Sequence, residues 1–214
     1  MIDLYTWATP NGRKVSIALE ELGLPYRVHA VNIAKGEQLS KEFARISPNQ
    51  KIPAIVDSDA GLTLMESGAI LMYLAGKAGR LLPTEPDRYW EAIQWLMWQK
   101  AAFGPMLGQA LHYLKYNRGK STYSEDRFEI ETHRLYRVLD RQLESREFIA
   151  AGEYTIVDIA CWPWTARHEY QSVDLHEYPH VLDWYMRIAE RPAVRAGWAV
   201  PVPEDVPLPP PADA

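Results

Sequence analysis

A single cysteine, Cys161, in 214 residues excludes an intramolecular disulfide, a paired-cysteine redox motif and a cysteine-rich zinc site. Positive charge is also scarce: 23 Lys and Arg against 28 Asp and Glu leave a net charge of -5, with no basic block. That excludes the electrostatic footprint on which nonspecific nucleic-acid binding depends. Long apolar runs are missing too. The longest, Gly68 to Gly76, is far short of the roughly 20 residues a membrane-spanning helix needs. Asp3, Arg13, Lys14, Glu20 and Glu21 occupy the stretch where a secretory signal would have to be uncharged, so the expected location is cytoplasmic. Hydrophobic residues at 47% and charged residues at 24% are ordinary for a globular chain and exclude wholesale disorder.

The pattern changes near residue 80. Ile2 to Tyr5 alternates as a strand. Val15, Ala18, Leu19 and Leu22 then form a helical stripe that stops at Gly23. Tyr26 to Val31 reads as a second strand, and the order strand, helix, strand predicts a right-handed crossover onto a parallel pair. Ser40 is placed to cap a short helix through Ile46. Ile52 to Asp57 is a third strand opening on Pro53, and Leu62-Thr63-Leu64 returns as a hairpin. Glu66-Ser67-Gly68 opens a helix closed by Gly76 or Gly79. The predicted order for residues 1–80 is therefore βαβαββα, with residues 81–87 as a linker.

Residues 88–200 read as helix after helix. Trp90, Ile93 and Met97 share one helical face, and Phe128, Leu135, Leu139 and Leu143 recur near the 3.6 period on a second. Thr155 and Asp158 make a capping box, with Tyr154 and Ile159 at the staple positions, which starts a buried helix from Ile156 to about Arg167. Six of the last fourteen residues are proline, so the tail from 201 is expected to be extended, either mobile or laid along the surface.

Three places combine the residue types that thiol and peptide chemistry needs. Thr9-Pro10-Asn11-Gly12 joins the first strand to the first helix, where free N–H groups and the helix dipole favour an anion such as a thiolate. The ordinary reading of Thr9 and Asn11 is a helix cap. Ile52-Pro53 begins a strand; a cis bond would turn the Ile52 backbone outward to pair with an extended peptide, and a trans bond would mark an ordinary edge. Glu66-Ser67 suits the ammonium and carboxylate of an amino acid head, and equally suits a favourable helix start.

Together with the helical half and its capping box, these segments resemble a glutathione transferase over nearly the whole chain. Thr9-Pro10-Asn11-Gly12, Arg45-Ile46-Ser47-Pro48-Asn49, Lys51-Ile52-Pro53-Ala54-Ile55, Glu66-Ser67-Gly68-Ala69-Ile70 and Gly104-Pro105-Met106-Leu107-Gly108 resemble the bacterial nu-class, as does the run Asp158 to Trp164. The resemblance implies a thioredoxin-like glutathione-binding domain (1–80) and an all-helical domain (88–200). It makes Asn11 and Thr9 the catalytic pair facing the glutathione sulfur. Lys51, Ile52 and Pro53 would line the tripeptide, with the Ile52 backbone on its cysteine, while Glu66 and Ser67 take its γ-glutamyl end. Gln38 would approach the glycine carboxylate. Gln99 and Arg127 would contact a second glutathione, Arg127 from its own or a partner subunit. Trp7, Ala8 and a shorter hairpin near Asp59 depart from the class at the pocket wall.

The implied activity is glutathione-dependent disulfide reduction in a homodimer, acting on a small-molecule disulfide, with no metal, nucleic acid or membrane partner. The alternatives are conjugation of glutathione to electrophiles, reduction of organic peroxides, and a non-catalytic interaction module. Two features are set aside. His176-Glu177-Tyr178-Pro179-His180 fits a zinc motif as a string, but Pro179 disfavours one continuous helix. Tyr5 is a second hydroxyl for the sulfur, with core packing as its default.

Overall fold

The computed structural model describes residues 1–210, and its contacts divide the chain into two units, Met1–Leu82 with Glu190–Val206, and Pro83–Ala189 with the segment from Pro207. In the first unit, strand β1 (Ile2–Thr6) lies centrally in the order β2-β1-β3-β4. It runs parallel to β2 (Tyr26–Ala30) and antiparallel to β3 (Ala54–Asp57), which pairs in turn with antiparallel β4 (Leu62–Met65). This is the predicted βαβαββα order. Strand β3 begins two residues later than its apolar run suggests, because Pro53 has no N–H for the ladder.

Helix α1 (Pro10–Leu22) starts on the Thr9 cap and ends at Gly23, whose φ of 66° suits a residue without a Cβ. Its apolar stripe buries Val15, Ala18 and Leu19 fully; the sheet contributes Leu4 and Ile55, and helix α3 (Ser67–Ala78) contributes Ile70, Leu71 and Leu74. Full burial of a Leu or Ile is worth about 1.5–3 kcal/mol, so this layer dominates the unit's stability. Helix α2 (Lys41–Ile46), capped by Ser40, covers the other face by packing Phe43 with Val31, Ala54 and Tyr5.

The second unit is helical. Helix α4 (Pro86–Trp98) passes through a π-helical turn, Gln99–Phe103, into α5 (Gly104–Ala110) and a second such turn, Leu111–Tyr116. Its buried stripe is Ala92 and Leu96, continuing to Phe103; Trp90 and Met97 are exposed, so their shared face is not the core face of this chain. Helix α6 (Thr122–Leu143) buries Leu135, Leu139 and Leu143 of the expected stripe, with Tyr136 beside them, while Phe128 is only half-buried. Helix α7 (Ile156–Thr165) carries the predicted capping box and is buried along its whole length, ending two residues short of Arg167. Trp162 stacks on Tyr185 of α8 (Pro179–Ala189) at 5.0 Å between ring centroids. Cys161 is buried inside this core.

The C-terminal boundary differs from the expected one at 200. Helix α9 (Pro192–Trp198) belongs to the first unit because it crosses α1 closely: the Ser16 hydroxyl donates to the Gly197 carbonyl at 2.6 Å. Of the tail expected to run from 201 to 214, residues 211–214 lie outside the described residues, and two earlier positions are tied down. Trp198 Nε1 donates to the Asp205 carbonyl at 2.9 Å and the Tyr185 hydroxyl to that of Pro207 at 2.5 Å.

Candidate active site

Register fixes where the first unit's candidate residues meet. Thr6 of β1 pairs with Ala30 at the end of β2, Tyr5 pairs with Ala54 at the start of β3, and Ala54 pairs with Met65 at the end of β4. The loop into α1, the turn carrying Gln38, the Lys51–Pro53 segment and the Glu66–Ser67 corner therefore all leave or enter the sheet at one end. Two helix N-termini, those of α1 and α3, open there, and both favour negative charge.

At the first, Thr9 is the N-cap and its hydroxyl accepts the Gly12 N–H at 3.1 Å. That bond uses a lone pair and leaves the hydroxyl proton for a further acceptor. Asn11 is the second residue of the helix and half-buried. Gly12 has to be glycine: a Cβ there would stand 2.2 Å from the Trp7 carbonyl oxygen and 2.5 Å from Thr6 Oγ1.

The Ile52–Pro53 peptide is cis. Ile52 lies outside the ladder, and the Ser47 hydroxyl, buried, donates to the Lys51 carbonyl at 2.9 Å and holds the approach to it. The Lys51 side chain is exposed. Glu66 is exposed with φ 70° and ψ 113°, a backbone setting that costs a non-glycine residue of order 1–3 kcal/mol and that concentrates at functional sites. Ser67 beside it is buried, and the Ile70 N–H donates to the Glu66 carbonyl at 2.9 Å. Gln38 sits in a short 3₁₀ turn with its Oε1 buried and lacking a hydrogen-bond partner among the described residues. Such an atom is costly unless a ligand satisfies it.

In the second unit, Arg127 is exposed on α6 and lines a groove of about 510 Å³ with Met106, Tyr123, Phe128, Ile130 and Glu131. Gln99 is placed differently. It is fully buried in the first π-helical turn with its amide against Gly104, and it presents no surface to a ligand. Tyr5 stacks on His29 at 4.5 Å and packs towards Phe43. His176 lies in a 3₁₀ turn bonded to Asp174, whereas His180 lies in α8, so the zinc-like string is split between two elements.

Sequence pattern gave no sign of Arg13 and Lys14. Both lie in the second turn of α1 and are almost wholly buried, which their charge gives no reason to expect.

Known proteins share this arrangement. Residues 1–76 match the family model for the N-terminal domain of glutathione S-transferases, and residues 99–192 that for the C-terminal domain. The disulfide-bond oxidoreductase YfcG of Escherichia coli is 48% identical over 198 residues, covering 90% of this chain and 92% of that one. A glutathione transferase from Pseudomonas putida, solved with one glutathione disulfide per subunit, superposes with a TM-score of 0.89 at 42% identity, covering 94% of this chain and 91% of the other. A glutathione transferase from Burkholderia graminis, solved with two glutathione molecules per subunit, gives 0.89 at 41%, with 94% and 88% covered. Two helix N-termini at one end of a thioredoxin-like sheet, the Glu66 corner and these matches in both halves agree: the chain belongs to the glutathione transferase family.

Proposed function

We propose that this protein reduces disulfides with glutathione, using bound thiols in place of protein cysteines. The observation that carries the reading is the convergence of Thr9, Asn11, Gln38, Ile52 and Glu66–Ser67 at one end of the sheet in a chain with one buried cysteine. In this reading the α1 N-terminus, the Thr9 hydroxyl and the Asn11 amide stabilise the thiolate of one glutathione. Asn11 donates a hydrogen bond but takes no proton, so it is not a general base. The Ile52 backbone pairs with the cysteine portion, and Glu66 and Ser67 hold the γ-glutamyl ammonium and carboxylate. Gln38 meets the glycine carboxylate; a half-turn of its amide exchanges the buried oxygen for the NH₂.

The thiolate attacks one sulfur of R–S–S–R′, forming a mixed disulfide and expelling R′S⁻, which takes up a proton. A second glutathione thiolate attacks the glutathione sulfur of the mixed disulfide. RS⁻ leaves and is protonated, and oxidised glutathione is the product. Two glutathiones are thus oxidised for each disulfide reduced. Arg127, from its own or a partner subunit, is the residue proposed to contact the second glutathione; Gln99 is left out because of its burial. The names of the relatives support this choice: YfcG is a disulfide-bond oxidoreductase, and the Pseudomonas and Burkholderia proteins hold one oxidised or two reduced glutathiones per subunit. The same reading makes the protein a cytoplasmic homodimer in which exposed Trp90 and Met97 of α4 offer apolar surface to a partner.

Calorimetric titration tests the reading. One oxidised glutathione, or two reduced, per subunit supports thiol–disulfide exchange. One reduced molecule with weak binding of the oxidised form favours conjugation, and no binding of either leaves the interaction module.

A further inference from the structure

The buried cation at the head of α1 has an unusual set of partners. The Arg13 guanidinium lies 3.6 Å from the Trp198 ring centroid and donates to the Glu204 carboxylate, a residue of the proline-rich tail. Its side chain is fully buried, whereas that of Glu204 is 40% exposed. A little further along α1, Gly197 approaches the helix so closely that a Cβ would lie 2.5 Å from the Ile17 backbone, and Ser16 bonds to its carbonyl. Gly197, Trp198 and Glu204 therefore grip α1 from Arg13 to Ile17.

That grip has a chemical consequence because of where Arg13 stands. Its own N–H donates to the Thr9 carbonyl at 3.0 Å, one bond from the Thr9 cap and two residues from Asn11. We infer that Arg13 is a positioning residue: clamped between Trp198 and Glu204, it sets the first turn of α1 and thereby the aim of the Thr9 hydroxyl, the Asn11 amide and the free N–H groups at the thiolate. The proline-rich tail is then part of the site's scaffold, a role that rests on the thiolate site proposed above. Buried ion pairs contribute little net stability compared with apolar packing of the same volume, which leaves a geometric role as the use of this one. Arginine suits the place because its flat guanidinium donates to the carboxylate while its face stacks on the indole; a lysine ammonium is a compact point charge with no face to stack.

Glu204→Gln is the primary test, since Glu204 lies at the surface and the amide keeps an acceptor oxygen for Arg13 while its charge is removed. Amide hydrogen exchange at Gly12 and Arg13 should quicken about tenfold in this variant while α3 is unaffected. Thiolate absorbance of bound glutathione should titrate at higher pH, and kcat should fall about fivefold with KM within about twofold of the parent. Glu204→Asp should recover most of both effects, and Arg13→Lys should reproduce the loss. Unchanged exchange overturns the inference. Faster exchange with an unchanged thiol titration also overturns it, because the contact is then structural only. If the parent protein binds no glutathione, the proposed function fails instead, and the positioning claim about a thiolate falls with it.

Discussion

The Gly12 backbone N–H donates to the Thr9 hydroxyl at 3.1 Å, across a turn too tight for any side chain at position 12. One bond thus closes the helix end and leaves the Thr9 hydroxyl proton for a further acceptor. Thr9→Ala should destabilise the protein by about 1 kcal/mol and lower turnover, while Thr9→Ser should restore both. Urea melts and disulfide-reduction rates on the same samples check this.

Asn11→Ala removes a donor without touching the cap. Turnover should fall on the order of tenfold with glutathione affinity changed less than about twofold, the signature of a contact that matters most to the charged sulfur. Unchanged turnover takes Asn11 out of the mechanism.

Two glycine replacements should have opposite signs. Gly12→Ala drives a methyl group into the Trp7 carbonyl and Thr6, so it should cost about 2 kcal/mol or more and abolish activity. At Gly76, in α3, an added Cβ would meet nothing within 4 Å, so Gly76→Ala should raise stability by about 0.5–1 kcal/mol. Thermal melts of both variants decide it.

Asp57, buried at the end of β3, accepts hydrogen bonds from Lys77 at 2.7 Å and Tyr73 at 2.6 Å, and these donors hold its carboxyl at about 2. A folded value below the unfolded 3.8 means stability present above pH 4 and lost as pH falls towards 2. With Lys77 partly exposed to solvent, the contribution at neutral pH is about 1–2 kcal/mol. Asp57→Asn should lose that amount at pH 7 and flatten the acid limb of the stability profile, read by denaturant melts from pH 7 to 2.

Asp158 behaves oppositely. Burial pushes it up to about 6, against donors from Ile149, Thr155 and Trp184. Its contribution therefore falls as pH rises from about 4 to 6 and is constant above that range. Asp158→Ala leaves those buried donors without their acceptor and should cost on the order of 3–5 kcal/mol, enough to show as unfolding or insolubility near 37 °C.

Much of this protein is legible along the chain because its signals are local. The α1 stripe and Gly23, the Ser40 cap and the Thr155–Asp158 box each depend on residues within a turn or two, and each forms where the pattern places it. Glu66 and Ser67 are likewise found at a helix start. What local pattern cannot express is contact at long range. Arg13 and Glu204 are 191 residues apart in sequence, and no periodicity signals that a cation in α1 will be buried under a tryptophan from α9. Gln99 looks like any polar helix residue until the π-helical turn packs it against Gly104. Propensity, capping and pleat are decided by neighbours in the chain. The gathering of Thr9, Gln38, Ile52 and Glu66 at one sheet end, and the burial of Arg13, depend on strand order and helix crossing, which only the folded chain decides.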